Sequence, residues 1–336
     1  MARYGRAEAR EWVRSEMTGV SNVIIPSYTQ DLRSLNEAGI RHDVRRDIEL
    51  GFRGALIVAE TALTADEYVR MMEWAADEAK GELVLFFHAS FNTLEENIEV
   101  AKRAEDAGAE MVLLSYPPSF YPASLRDVYD YTAAFCDATN IATLLFPVPL
   151  WGFERLHPAG IPIEMLEEMV RELPTVGAIK AEGGMPAIAG FAEAWTRLSD
   201  EVVISMPLEH QAIPLATILP LQMIATSNTE CLGAAVPRML RLCQEGRPRE
   251  AMELYWAVDP ARRANERVGI AGTNSVNRAI WKYQAWLTGF NGGPLRMPTQ
   301  RLTQPQLSAY RAAAEAAGIL DAPAEDAEFF VGRHPA

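Results

Sequence analysis

Short apolar runs, each closing on polar or turn residues, alternate along this chain with longer stretches in which apolar positions recur every three or four residues. The runs Asn22–Thr29, Ala55–Glu60, Leu83–Ala89, Met111–Tyr116, Ala142–Val148, Val176–Glu182, Val202–Met206 and Gln222–Ser227 predict eight strands. Their near-continuous apolar character is that of parallel strands covered on both faces. Between them the helical period predicts helices over Thr64–Lys80, Leu94–Ala107, Leu125–Ala138, Pro162–Glu172 and Ile188–Leu198. Thr64-Ala65-Asp66-Glu67 reads as a capping box, and Pro162 suits a first helical turn. Eight strands separated by helices make the chain an α/β protein and predict a (β/α)8 TIM barrel. A doubly wound sheet is the alternative, but its first strand would lead into a glycine-rich loop, and here Pro26-Ser27-Tyr28-Thr29 follows.

Helical periodicity continues past the last strand through Ala234–Glu245, Arg249–Val268, Ser275–Thr288 and Gln304–Ala317, predicting a C-terminal helical extension. The expected organisation is a barrel core over residues 1–230, the last barrel helix and the extension over 231–320, and an extended or frayed tail over 321–336. In such a barrel the reactive groups gather at the carboxyl ends of the strands. Those ends collect Tyr28, Glu60, His88, Ser115, Tyr116, Lys180, Glu182, Glu209 and His210.

Lys180 stands out in this ring because it closes the apolar run Val176-Gly177-Ala178-Ile179. The chain has only four lysines, Lys80, Lys102, Lys180 and Lys282, among 31 basic residues. Where it needs positive charge it uses arginine, so a lysine at a buried strand end points to an amine that can deprotonate and attack a carbonyl. The alternative is a lysine that snorkels or pairs at the strand end.

Composition narrows the partners. A net charge of -14 argues against a general nucleic-acid binder, which needs clustered Lys and Arg. No apolar run approaches the roughly 20 residues of a membrane span, so no membrane association is expected. The N-terminal residues lack a signal-peptide core, and the three cysteines, Cys136, Cys231 and Cys243, suggest neither a disulfide framework nor a zinc site. A cytoplasmic protein is expected.

Several segments together resemble the dihydrodipicolinate synthase and N-acetylneuraminate lyase superfamily of class I aldolase barrels. Asp43 through Gly54 resembles the first helix and the Gly-x-x-Gly leading into strand two; Ala104–Glu110 resembles the Ala-x-x-x-Gly-Ala-Asp before strand four. Gly177-Ala178-Ile179-Lys180 resembles the segment carrying the family's Schiff-base lysine, and Lys282–Pro298 its C-terminal Lys-x-x-Leu-x-x-x-Gly … Arg-x-Pro pattern. The resemblance implies a cofactor-independent lyase and a homotetramer or homodimer, with Phe120 and Tyr121 as candidate contact residues. The departures bear on substrate. Leu56-Ile57-Val58-Ala59-Glu60 stands where pyruvate-binding relatives present Gly-Thr-Thr-Gly-Glu, so both hydroxyls are gone. Phe146 replaces the proton-shuttling Tyr, Trp151 stands where the synthase branch has an Arg, and the Pro-Tyr-Tyr after strand four becomes Pro117-Pro118-Ser119-Phe120-Tyr121. Ordinary pyruvate recognition is not expected of such a site.

The expected reaction is carbon–carbon cleavage or condensation on a small-molecule carbonyl substrate other than simple pyruvate, with Lys180 as nucleophile. His88, the first-ranked base, and Tyr116 are the expected acid–base partners. Tyr28, Ile57, Val58, Glu60, Phe146, Trp151, Glu182 and His210 are the expected substrate-binding residues. A hydratase or dehydratase using the same imine, and a ligand-binding barrel that has lost turnover, are the alternatives. Glu60, His88, Glu182 and His210 are suitable metal ligands, but no spacing singles out a metal site and none is expected.

Overall fold

The computed structural model describes residues 3–117, 119–148, 151–181, 187–225, 227–270, 278–297, 301–323 and 325–336. A short helix, α1 (Ala9–Glu16), precedes eight parallel strands: β1 (Gly19–Ile24), β2 (Gly54–Ile57), β3 (Val84–Ala89), β4 (Met111–Leu114), β5 (Ala142–Leu145), β6 (Val176–Lys180), β7 (Val203–Ser205) and β8 (Met223–Ala225). Each strand is followed by a helix: α2 (Glu37–Leu50), α3 (Ala65–Ala79), α4 (Leu94–Ala107), α5 (Leu125–Ala138), α6 (Ile163–Glu172), α7 (Ala187–Leu198), α8 (Glu209–Ala216) and α9 (Ala235–Gln244). The helical extension is α10 (Pro248–Ala257), α11 (Asp259–Ile270), α12 (Arg278–Leu287) and α13 (Gln304–Ala316). The predicted α/β barrel with extra C-terminal helices is what the chain adopts.

The strands pair in the order β7-β6-β5-β4-β3-β2-β1-β8. Among the described residues β7 and β8 share no backbone ladder. Their seam is bridged by the Ser205 hydroxyl, which accepts from the Ala225 amide at 2.8 Å. Side chains alternate across each strand, as the pleat demands. One set, including Val23, Leu56, Val58, Val84, Phe86, Met111, Leu113, Leu144, Phe146, Ala178, Val203 and Met223, fills the lumen. The other, including Ile24, Ile57, Phe87, Leu114, Leu145, Ile179 and Ile204, packs under the helices. Ala9, Trp12, Val13 and Met17 of α1 and the turn after it join the lumen set and close the amino end of the barrel.

The alternation in β6 is reset by an inserted residue. Val176 pairs with Thr143, but Ala178 pairs with Leu144 and Ile179 with Leu145, so Gly177 is extra on its strand. In a regular strand of this sequence, Val176 facing outward would put Lys180, four positions on, outward too. Because the bulge takes Gly177 out of the alternation, Ala178 and Lys180 face the lumen. Gly177 is also where α1 comes closest, since a Cβ there would lie 2.7 Å from Val13 Cγ2.

Local signals account for the helix boundaries. Thr64 accepts from the Glu67 amide at 3.2 Å, Thr93 from Glu96 at 3.1 Å and Ser124 from Asp127 at 3.3 Å, each cap contributing about 1 kcal/mol. The stretch expected as one helix over Arg249–Val268 is two, broken between Ala257 and Asp259. The tail expected to be extended or frayed is docked instead. Phe329 is buried, Arg333 Nε donates to the Phe290 carbonyl at 3.0 Å, and the Gln30 amide donates to the Ala336 carbonyl at 2.9 Å. Among the described residues no helix is long and apolar enough to cross a membrane.

Gly177→Ala is expected to lower stability by about 1–3 kcal/mol through overpacking against Val13. Adding Val13→Ala should restore part of the loss. Urea denaturation of the two variants checks this, and equal stability of Gly177→Ala and the parent would contradict it.

Candidate active site

The lumen-facing positions at the carboxyl ends of β3 to β7 bring polar groups to an otherwise apolar mouth. Continuing the inward series gives His88 after Phe86, Ser115 after Leu113, Phe146 after Leu144, Lys180 after Ala178 and Ser205 after Val203. Lys180 is 5% exposed, and its Nζ lies 4.0 Å from the centre of the Phe146 ring. Trp151 closes the aromatic wall: its ring stands edge-on to Phe146 at 5.8 Å, and its Nε1 donates to the Phe146 carbonyl at 2.8 Å.

His88 is buried, and its ring bridges three elements. Nδ1 accepts from the Ala59 amide at 3.4 Å, which leaves the ring hydrogen on Nε2. Nε2 faces the Ser115 hydroxyl at 3.1 Å and a Glu60 carboxylate oxygen at 3.9 Å. Burial pushes the imidazole down to about 4, with Arg278 and Lys180 acting in the same direction and Glu60 opposing them. The ring is therefore neutral at pH 7, a hydrogen donor at Nε2. Ser115, accepting from it, keeps its own hydrogen to donate into the mouth.

Glu60 links this donor pair to the C-terminal extension. Burial raises its carboxyl, but His88, Arg278 and Ser90 outweigh that and hold it at about 2, so it is ionised at pH 7. Its side chain is still 37% exposed, at the rim. Arg278, the first residue of α12, pairs with Glu60, and its guanidinium lies 4.5 Å from the Trp281 ring centre. The Arg278 Nε–H is buried and has no acceptor among the described residues. An unmet buried donor of this kind costs about 1–3 kcal/mol. The start of α12 is held at the mouth by Lys282, whose Nζ donates to the Pro26 carbonyl just past β1. Trp281 and Leu295 pack against the lumen cluster, roofing it from the side of β1 and β2.

The structure brings Lys180, His88, Glu60, Val58 and Phe146 to one mouth, with Trp151 at its wall. It places other expected residues elsewhere. Tyr116 faces outward, its hydroxyl 2.7 Å from Thr132 on α5 and its ring stacked on Phe120. Ile57 packs under the helices. Tyr28 is buried beneath the Arg296 guanidinium and donates to the Thr61 carbonyl at 2.6 Å. His210 lies at the start of α8, its Nε2 3.3 Å from the side-chain Nε2 of Gln211. Glu182 lies outside the described residues. Among those residues no group of three or more His, Cys, Asp or Glu converges as a metal centre. Ser115 was collected among the strand-end polar groups without a role, and Arg278 was not among the expected site residues. Strand alternation past Met111 and Leu113 points to Ser115, whereas nothing in the local sequence points to Arg278.

An eight-stranded barrel with a lysine at the mouth end of strand six defines a class I aldolase-type scaffold. Residues 16–260 match the profile of the dihydrodipicolinate synthetase family, and the protein belongs to that family as a divergent member. The 4-hydroxy-tetrahydrodipicolinate synthase of Bradyrhizobium diazoefficiens is 28% identical over 306 residues, spanning 86% of this chain and 93% of its own. The N-acetylneuraminate lyase of Clostridium perfringens is 21% identical over 297 residues, 87% of this chain and 96% of that one. Among solved structures, the 4-hydroxy-tetrahydrodipicolinate synthase from Methylacidiphilum fumariolicum superposes with a TM-score of 0.75 at 20% identity, over 90% of this chain and 96% of its own.

Because burial depresses His88, an unfolded chain binds a proton there between about pH 4 and 6.5 that the folded chain does not. Stability should therefore rise with pH across that window, by up to about 3 kcal/mol from this residue. Urea denaturation at pH 4.5, 5.5 and 7 should show a shallower pH dependence for His88→Gln than for the parent. Parallel curves would contradict a buried neutral ring.

Proposed function

We propose that the protein is a Schiff-base-forming lyase of the class I aldolase type, in which Lys180 attacks the carbonyl carbon of a substrate bulkier and more apolar than pyruvate. The observation that carries this reading is the lumen-facing amine of Lys180 on the Phe146 ring, in the same mouth as the Ser115–His88 donor pair. Addition of the neutral amine gives a carbinolamine, and loss of water gives an iminium. That iminium accepts the electron pair released when the bond between its α and β carbons breaks, giving an enamine, while the β-hydroxyl gives its proton to solvent and becomes the carbonyl of the released fragment; run in reverse the same step condenses two carbonyl compounds. Protonation at carbon and hydrolysis return the amine.

In this reading Ser115 donates to the substrate oxygen as charge develops there, and neutral His88 holds Ser115 in place. Preorganised donors in a low-dielectric site stabilise such charge without reorganisation. Val58, Phe146 and Trp151 supply the apolar surface that replaces the hydroxyls of a pyruvate site. A hydratase or dehydratase would use the same iminium and differ only in the bond broken.

A second reading, a binding barrel without turnover, is favoured by the 5% exposure of Lys180 beneath the Phe146 ring. Borohydride reduction with a panel of aldehydes and keto acids, followed by intact and peptide mass, separates the two. The lyase reading expects a single adduct on Lys180, lost in Lys180→Ala. A panel that leaves Lys180 unmodified sinks it. Among turning-over substrates, Ser115→Ala is expected to lower kcat by about 10²-fold with little change in KM.

A further inference from the structure

We propose that Arg278 is an anion-binding residue of this mouth, and that the substrate carries a carboxylate separated from its reacting carbonyl by an apolar body. The proposal deepens the lyase reading and rests on it for the position of the carbonyl. Three observations meet here. The Arg278 side chain is 9% exposed, and its Nε–H has no acceptor among the described residues while its Nη2 is held by Glu60. A guanidinium offers five donors in a planar fork, and the Nη2 contact with Glu60 leaves the Nε–H to donate to a second anion. A donor buried that deeply without an acceptor marks a place where an acceptor belongs.

The topology says where that acceptor comes from. In the ring order β7-β6-β5-β4-β3-β2-β1-β8, the strand bearing Lys180 is four places from β2, after which Glu60 anchors Arg278. The amine and the guanidinium thus stand on opposite sides of the mouth. Phe146, Val58 and Trp281 share the apolar cluster between them. A carboxylate directly adjacent to the carbonyl at Lys180 would not reach across, whereas one beyond an aromatic or extended apolar body would. The site then recognises its acid through the C-terminal extension, at a distance from the chemistry.

The test uses 4-formylcinnamate, which places an aldehyde and a carboxylate at opposite ends of a flat apolar body, and its uncharged methyl ester. Binding is measured by calorimetry on Lys180→Ala protein, where no imine can form. The acid is expected to bind at least about tenfold more tightly than the ester, the worth of one charge-assisted hydrogen bond. Arg278→Gln in the same background should erase that difference between acid and ester. Equal affinity for acid and ester, or no binding of the acid, overturns the proposal without recourse to any Arg278 variant, as does an undiminished acid preference in Arg278→Gln. Because the imine plays no part in this measurement, absence of a borohydride adduct on the parent protein counts against the lyase reading alone.

Discussion

The phase of β6 is the constraint on which the site depends. A strand offers its side chains alternately to two faces, and a single added residue exchanges them. Gly177 is that residue. It lets Val176 pack under the helices while Lys180, four positions on, enters the lumen. The insertion is tolerated because Val13 of α1 lies against a residue that has no side chain. The plug at the amino end of the barrel and the amine at its carboxyl end are therefore parts of one packing arrangement.

Around that amine the mouth keeps charge in short, compensated units. Glu60 stands between His88 and Arg278, so its negative charge is balanced by the guanidinium and the imidazole need carry none. A buried imidazolium would set a second cation beside Arg278, which the desolvation of His88 opposes. The result is an apolar cavity top with donors on two sides: the Ser115 hydroxyl oriented by a neutral ring, and a guanidinium edge oriented by a carboxylate. Only the first of these belongs to the barrel strands. The second arrives on α12, which Lys282 ties to the backbone beyond β1, beside the buried Asp43 that also accepts from the Asn291 amide at 2.6 Å.

Much of the fold was legible because the strands announce themselves as apolar runs and the helices by caps such as Thr64 and Ser124. The ends of strands were read too generously. In the run ending at Tyr116 the strand closes at Leu114, and β1 begins at Gly19, three residues before the expected start. Within the runs, the pleat already separates Val58 from Ile57 and Ser115 from Tyr116, since the phase is set by Leu56 and Leu113. The break before α11 was marked by Asp259-Pro260, a helix start inside an otherwise periodic stretch. Arg278 could not be read, because its meaning lies in a partner, Glu60, more than two hundred residues away. The docking of the tail is of the same kind: Phe329 and Arg333 become informative only when the groups they meet are known.

The seam between β7 and β8 gives the barrel a mechanical property that a fully laddered ring lacks. Among the described residues seven strand-to-strand joints are held by backbone hydrogen bonds, and the eighth by the Ser205 hydroxyl. A ring with one weak joint opens there first, at little cost in secondary structure. Ser205, which makes that joint, is also the register partner of Lys180. The joint that lacks a ladder among the described residues thus adjoins Lys180, on the side of the mouth away from β3 and β4.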